Sequence, residues 1–296
     1  MNIQIGTAPC SWGVEFPEDD RQVPWHRCLM EIAQAGYDWT ELGPYGYVPT
    51  DTQELRAALD QYGLRVCSAV VMRHFEDSRQ WFAIEDEVRR AAELLQSVGA
   101  THIVLIDDSY IDRQSGKMVL QPNLSGSEFR VLIEGVERIG RIVLDEFGMQ
   151  AVFHPHAETH VQSEDQIEEY IRMADMNLVP LAFDTGHHTY CGSDPISFFR
   201  RHHSSIRYLH IKSVDAAVLR AVQANDINFM EAVARRVFIE PEAGIVDFDN
   251  FLGVLREINY EGFVIVEQDM FPVRSLSEPL AVAACTRQWL KDKGWG

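Results

Sequence analysis

The sequence predicts a closed, parallel (β/α)8 barrel folded as one domain, and three observations carry this. Short runs of apolar and β-branched residues alternate eight times with helical stretches, which implies a parallel sheet covered by helices. A glycine separates helix from strand at Gly36, Gly63, Gly99 and Gly148, so the unit repeats. Eight such units in 296 residues are more than an open sheet normally carries and suit a barrel.

The first strand is expected over residues 3–8, closing on Pro9-Cys10-Ser11-Trp12-Gly13. A helix over about 24–35 follows, with Cys28, Ile32 and Ala35 on one face. Strand two covers 37–42 and closes on Glu41 and a Gly-Pro-Tyr-Gly loop, and Thr50 or Asp51 caps a helix running to Tyr62. Strand three, 64–72, is an apolar run of the kind that parallel sheets bury on both faces, and ends in Arg73-His74. Residues 85–98 are helical, strand four spans 101–106 and ends in Asp107-Asp108, and a long helix fills about 127–147. Strand five ends at His154, a helix covers 163–174, and strand six covers 178–183. The next helix starts near Asp194-Pro195, proline being favourable in a first turn. Strand seven is 206–211, and 215–240 is a partly helical excursion over the barrel mouth. A helix over 248–258, strand eight over 262–267 and a closing helix over 280–291, with Pro279 at its start, complete the chain.

Composition bounds the function. Hydrophobic residues make up 46% and charged residues 24%, as in an ordinary globular protein with ample core. Forty-five acidic against 26 basic residues give a formal charge of −19, a field that repels phosphate backbones and argues against a nucleic-acid partner. The N-terminus lacks the basic and apolar segments of a signal peptide, and no apolar run approaches the roughly 20 residues of a membrane helix. Five scattered cysteines without CxxC pairing suggest reduced thiols, so a cytoplasmic setting without membrane partners is expected. There is no GxGxxG, GxxxxGK[ST] or GxSxG to anchor a nucleotide-binding or serine-hydrolase reading.

The residues that speak for chemistry stand at strand ends. Between Val152 and Lys212 lie eight of the eleven histidines and three patterns: Phe153-His154-Pro155-His156, Asp184-Thr185-Gly186-His187 and His210-Ile211-Lys212. A fourth run, Phe263-Val264-Ile265-Val266, ends in Glu267. A barrel gathers the carboxyl ends of its strands at one face, so His154, Asp184, His210 and Glu267 converge as a metal site. Such an imidazole–carboxylate set without thiolate suits Mn²⁺ or Co²⁺ first, with Zn²⁺, Fe²⁺ and Mg²⁺ as other ions it can take. Lys212, two residues beyond His210, points to the same side of strand seven. Trp12, Glu41, Arg73 and Asp107, at other strand ends, are expected to bind substrate, with Trp12 stacking on the apolar face of a polyol ring.

These patterns resemble the xylose-isomerase-like family of TIM barrels over essentially the whole chain. The resemblance implies a divalent metal held by a strand-five glutamate, a strand-six aspartate, a strand-seven histidine and a strand-eight glutamate. Asp184, His210 and Glu267 match the last three, while His154 stands where the family's epimerases carry glutamate. Asp184-x-x-His187 matches the family's Asp-x-x-His pair, whose histidine contacts substrate, or a metal in the family's endonucleases. His154-Pro155-His156 with Thr159, Gly6-x-Ala8-Pro9-x-x-Trp12, Glu41-Leu42-Gly43-Pro44-Tyr45-Gly46 and Val266-Glu267-Gln268-Asp269 are similar to the inosose dehydratase branch. Ser213, where that branch more often has aspartate, and Glu240-Pro241-Glu242-Ala243-Gly244 depart from its pattern.

The resemblance implies a lyase that dehydrates 2-keto-myo-inositol, a step of inositol catabolism. A proton is removed next to a ketone and a hydroxyl leaves one carbon further on, which calls for a base and an acid. Glu267, His156, His187 and Lys212 are the candidates for those roles. An isomerase or epimerase on a ketose or keto-polyol is the alternative, against which the missing strand-five glutamate weighs. A sugar-binding barrel without turnover is the second alternative. The expected partner is a small polyol or keto-sugar, and self-association into a homo-oligomer is left open.

Overall fold

In a computed structural model, which describes residues 2–295, eight parallel strands close on themselves into a barrel. The strands are β1 (Asn2–Thr7), β2 (Trp39–Pro44), β3 (Arg65–Arg73), β4 (His102–Asp107), β5 (Gln150–Phe153), β6 (Leu181–Asp184), β7 (Ile206–Ile211) and β8 (Glu261–Val266). Each pairs with its neighbour in sequence. Closure comes from β1, which pairs with β8 from Asn2↔Glu261 to Thr7↔Val266 and with β2 at Gly6↔Trp39 and Thr7↔Thr40.

Among the described residues eleven α-helices cover the barrel: α1 (Trp25–Gln34), α2 (Thr52–Tyr62), α3 (Trp81–Ser97), α4 (Gly126–Phe147), α5 (Glu164–Met173), α6 (Thr185–Tyr190), α7 (Pro195–His202), α8 (Ala216–Ala224), α9 (Phe229–Ala234), α10 (Phe248–Glu257) and α11 (Glu278–Lys293). Their ends follow local chemistry. Asp51 caps α2 by accepting from the Gln53 and Glu54 amides, and Ser125–Glu128 and Ser163–Gln166 form capping boxes on α4 and α5. Gly63 and Gly148 end α2 and α4 at φ of 67° and 66°, a left-handed turn that glycine enters without steric cost.

Side chains on alternate strand positions divide between two layers. Leu105, Phe153, Leu209 and Val264 join the large core between strands and helices. Val104, Ile106, Val152, Tyr208 and Ile265 fill the barrel interior. A smaller core of Val214, Leu219, Val222, Phe229, Val237, Phe238 and Phe271 lies over part of the mouth. It is built on α8, α9 and the antiparallel pair Ser213–Val214 with Phe238–Ile239, so the expected excursion is present.

The differences from expectation are local. Helix α3 starts at Trp81 rather than residue 85, because Phe82, 83% exposed, breaks the apolar pattern of its first turn. Strand β6 starts at Leu181 rather than residue 178, directly after Pro180, which has no N–H to donate to a ladder. Neither α6 nor the hairpin of Ile111–Asp112 with Lys117–Met118 was expected, being too short for periodicity to register. Among the described residues no helix is long and apolar enough to cross a membrane, and all five cysteines are free.

Candidate metal centre and active site

The barrel brings the four expected ligands together. His154 directly follows β5, Asp184 ends β6, His210 is the penultimate residue of β7 and Glu267 directly follows β8. All four are buried, and one ligand atom from each lies within 4.8 Å of the others. His154 Nε2 is 3.6 Å from Asp184 Oδ2, and His210 Nδ1 is 3.9 Å from Asp184 Oδ2 and 3.1 Å from Glu267 Oε2. Asp184 divides its two oxygens between separate roles. Its Oδ1 caps α6 by accepting from the Gly186 and His187 amides at 2.6 and 2.9 Å, which leaves Oδ2 for the cluster.

The donor set fits a divalent cation. Asp184 Oδ2 and His210 Nδ1 make no well-formed hydrogen bond but have charged neighbours at 3.4 and 3.1 Å, and a bound cation would satisfy both. Burial alone would lower the His210 pKa, but the Glu267 and Glu41 carboxylates raise it well above the ordinary histidine value. The carboxylates therefore draw positive charge to this spot, and a cation would displace the proton. With no thiolate in the set, nitrogen and oxygen donors suit Mn²⁺, Co²⁺ or Zn²⁺.

Lys212 stands beside the cluster, 1% exposed. Its Nζ lies 3.1 Å from Glu267 Oε2 and 3.4 Å from Asp184 Oδ2, and donates at 3.0 Å to both Asp269 oxygens. It also lies 3.1 Å from His187 Nε2. Burial works against the ammonium, yet Asp184, Asp269 and Glu267 together hold its pKa well above the ordinary lysine value. Lys212 is thus a buried cation. Burial, followed by the neighbouring His156 ring and the Lys212 ammonium, pushes His187 well below the histidine range. Burial, followed by His154 and Lys212, takes His156 to about 3. Both rings are therefore neutral bases at neutral pH. Gly186 makes room for this packing, because a Cβ there would stand 2.6 Å from Lys212 Cβ.

These groups line a cavity that holds about 160 Å³ of space for water-sized molecules. His154, His156, His187, His210, Lys212, Glu267, Glu41 and Arg73 face it, as expected from the sequence. Trp12 and Asp107 do not. The Trp12 ring is fully buried and donates from Nε1 to Glu31 Oε2 at 2.9 Å, so it cannot stack on a ligand. Asp107 shares the outward phase of Leu105 on β4 and binds His160 Nδ1 at 2.7 Å behind the barrel wall. Asp269, Cys10, Glu15, Arg113 and Phe229 line the cavity without having been singled out. Asp269 was legible, since it lies two residues beyond Glu267, on the same stride that relates Lys212 to His210. Arg113 comes from the unexpected hairpin, donates to Glu15 at 2.7 Å and had no signal in the sequence.

Comparisons with known proteins agree with this fold. An inosose dehydratase of Clostridium beijerinckii is 30% identical over 295 residues, covering 98% of this chain and 97% of that one. An inosose dehydratase of Geobacillus kaustophilus is 31% identical, covering 97% of this chain and 94% of its own length. The solved structure of the IOLI protein with a zinc atom superposes with a TM-score of 0.69 over 98% of each chain, at 16% identity, a likeness of fold. A family model described as xylose isomerase-like TIM barrel matches residues 29–293, and the chain belongs to that family.

Proposed function

We propose that this chain is a metal-dependent hydro-lyase that removes water from a keto-cyclitol, 2-keto-myo-inositol. One observation carries the choice of reaction. Across the cluster from Glu267 stands His154, not a second carboxylate, while the buried cation Lys212 lies 3.1 Å from Glu267. A symmetric pair of glutamates suits epimerisation, in which a proton leaves one face and returns to the other. A carboxylate beside an ammonium suits elimination, in which one group takes a proton and a different one gives a proton to the departing hydroxyl. The full-length likeness to inosose dehydratases supports the same reading.

His154, Asp184, His210 and Glu267 would hold the metal, which when bound supplies a Lewis acid for a ketone oxygen. Glu267 Oε2 accepts the proton from the carbon next to the ketone. The Glu267 carboxylate is ionised and so able to accept it. Burial raises its pKa, but His210 and Lys212 outweigh burial and hold it well below the usual carboxylate range. Lys212 Nζ donates to the leaving hydroxyl, and Asp269 and His187 orient it. An uncharged substrate is favoured because each cation lining the cavity is already matched: Arg73 with Glu87, Arg113 with Glu15, Lys212 with Asp269. Glu41 is available to substrate hydroxyls.

Products of 2-keto-myo-inositol incubated in heavy water with Mn²⁺- or Co²⁺-loaded protein test the proposal. Loss of one water from the substrate is expected. Unchanged composition with deuterium next to the carbonyl would make the chain an isomerase or epimerase. No change across a panel of inososes, ketohexoses and ketopentoses would leave a binding protein.

A further inference from the structure

We infer that Glu41 is a positioning residue for the metal centre, holding the His210 ring so that Nδ1 faces the other ligands. The inference rests on the metal reading of the site and is independent of the substrate chosen above. Glu41 lies on β2, across the barrel from β7, and is fully buried. Its Oε1 accepts from the Tyr208 hydroxyl at 2.8 Å and lies 3.0 Å from His210 Nε2. Oε1 is a carboxylate acceptor, so Nε2 is the nitrogen that donates, and Nδ1 is the one left to bind a cation. That atom is the one lying between Glu267 Oε2 and Asp184 Oδ2.

Glu41 is itself fixed from below. Tyr208 belongs to the same strand as His210 and points into the barrel interior, where its hydroxyl also lies 3.1 Å from Ser68 Oγ and 3.2 Å from Cys67 Sγ. Strand β2 carries register shifts on both sides of Glu41, between Thr40 and Glu41 and between Glu41 and Pro44. Such irregularities re-aim a side chain within a sheet. The polar chain Ser68–Tyr208–Glu41–His210 thus crosses the barrel interior and ends at the ligand. Glu41 Oε2, the second oxygen, is buried without a partner, and Glu41 lines the cavity, so a substrate hydroxyl is the donor that satisfies it.

The test compares Co²⁺ affinity and the visible Co²⁺ spectrum across Glu41→Ala, Glu41→Gln and Tyr208→Phe, by competition with a chelator. Loss of a carboxylate behind a ligating histidine weakens metal binding by about 10- to 100-fold, and Glu41→Ala is expected in that range with an altered spectrum. Glu41→Gln keeps an acceptor oxygen of the same shape and recovers part of the loss. Tyr208→Phe leaves the Glu41 carboxylate in place and gives a smaller loss in the same direction, which keeps the inference testable if Glu41→Ala does not fold. Wild-type affinity and spectrum in both Glu41 variants, with only KM raised, would overturn the inference and leave Glu41 as a substrate contact. A wild-type chain that dehydrates no inosose but shows these Co²⁺ effects would overturn the proposed function and leave this inference standing.

Discussion

Lys212 is the side chain whose surroundings say most about the chemistry. An ammonium buried among Asp184, Glu267 and Asp269 is kept charged by them, and in the proposed reaction it serves as the proton donor rather than a nucleophile. Lys212→Met should therefore lower kcat by about 10²- to 10⁴-fold, the usual contribution of a positioned acid, while Co²⁺ affinity stays at or above wild type. Asp184→Ala and His210→Ala should do the opposite, abolishing metal retention together with turnover. Metal analysis of the purified variants separates the two outcomes. Asp107 is a different case. Burial raises its pKa to about 7 against the pull of its His160 hydrogen bond, beside Glu76. A carboxyl raised in the folded state stabilises the fold most at low pH, and this contribution is lost as pH climbs through about 7. The Tm of Asp107→Asn should rise relative to wild type between about pH 4 and pH 7, and a constant difference would contradict the assignment. The sequence placed Asp107 at a strand end but could not give its phase, and phase decides whether such a residue faces the cavity or the helices. Trp12 failed for a related reason: a strand-end aromatic is as well suited to core packing as to stacking.

At the scale of elements, the site depends on one short helix that the sequence concealed. The Asp184-Thr185-Gly186-His187 stretch reads as a turn, yet it opens α6, and Asp184 is both its cap and a candidate ligand. That double role explains why His187 reaches Lys212. The helix passes close to β7 only because residue 186 lacks a side chain. Gly186→Ala would drive a methyl into Lys212 and should cost about 1–3 kcal/mol, the usual cost of overpacking, with turnover falling more than metal affinity. Unfolding and Co²⁺ titration of the same sample distinguish this from general loss of structure. Many of the main elements were legible because an apolar period or a cap marks them: Asp51, Ser125 and Ser163 start helices, and Gly63 and Gly148 end them. The hairpin bearing Arg113 was not legible, since two-residue strands have no alternation to read.

At the scale of the whole molecule, closure of the barrel is what turns sequence repetition into a site. His154 and Glu267 are 113 positions apart along the chain, and the parallel order from β5 to β8 makes their strand ends neighbours. The candidate ligand set was readable because the same rule, a ligand-type residue at the carboxyl end of a strand, applies four times. Glu15, Phe16 and Arg113 were not readable, because loops from the other side of the mouth bring them to the cavity through contacts between distant segments. The central claim is that these four residues hold the ion on which dehydration depends. Titrating chelator-treated protein with Mn²⁺, while following water loss from 2-keto-myo-inositol, tests it most directly. Activity should be absent at the start and rise to a plateau at one ion per chain. Full activity in the chelator-treated protein would contradict the account.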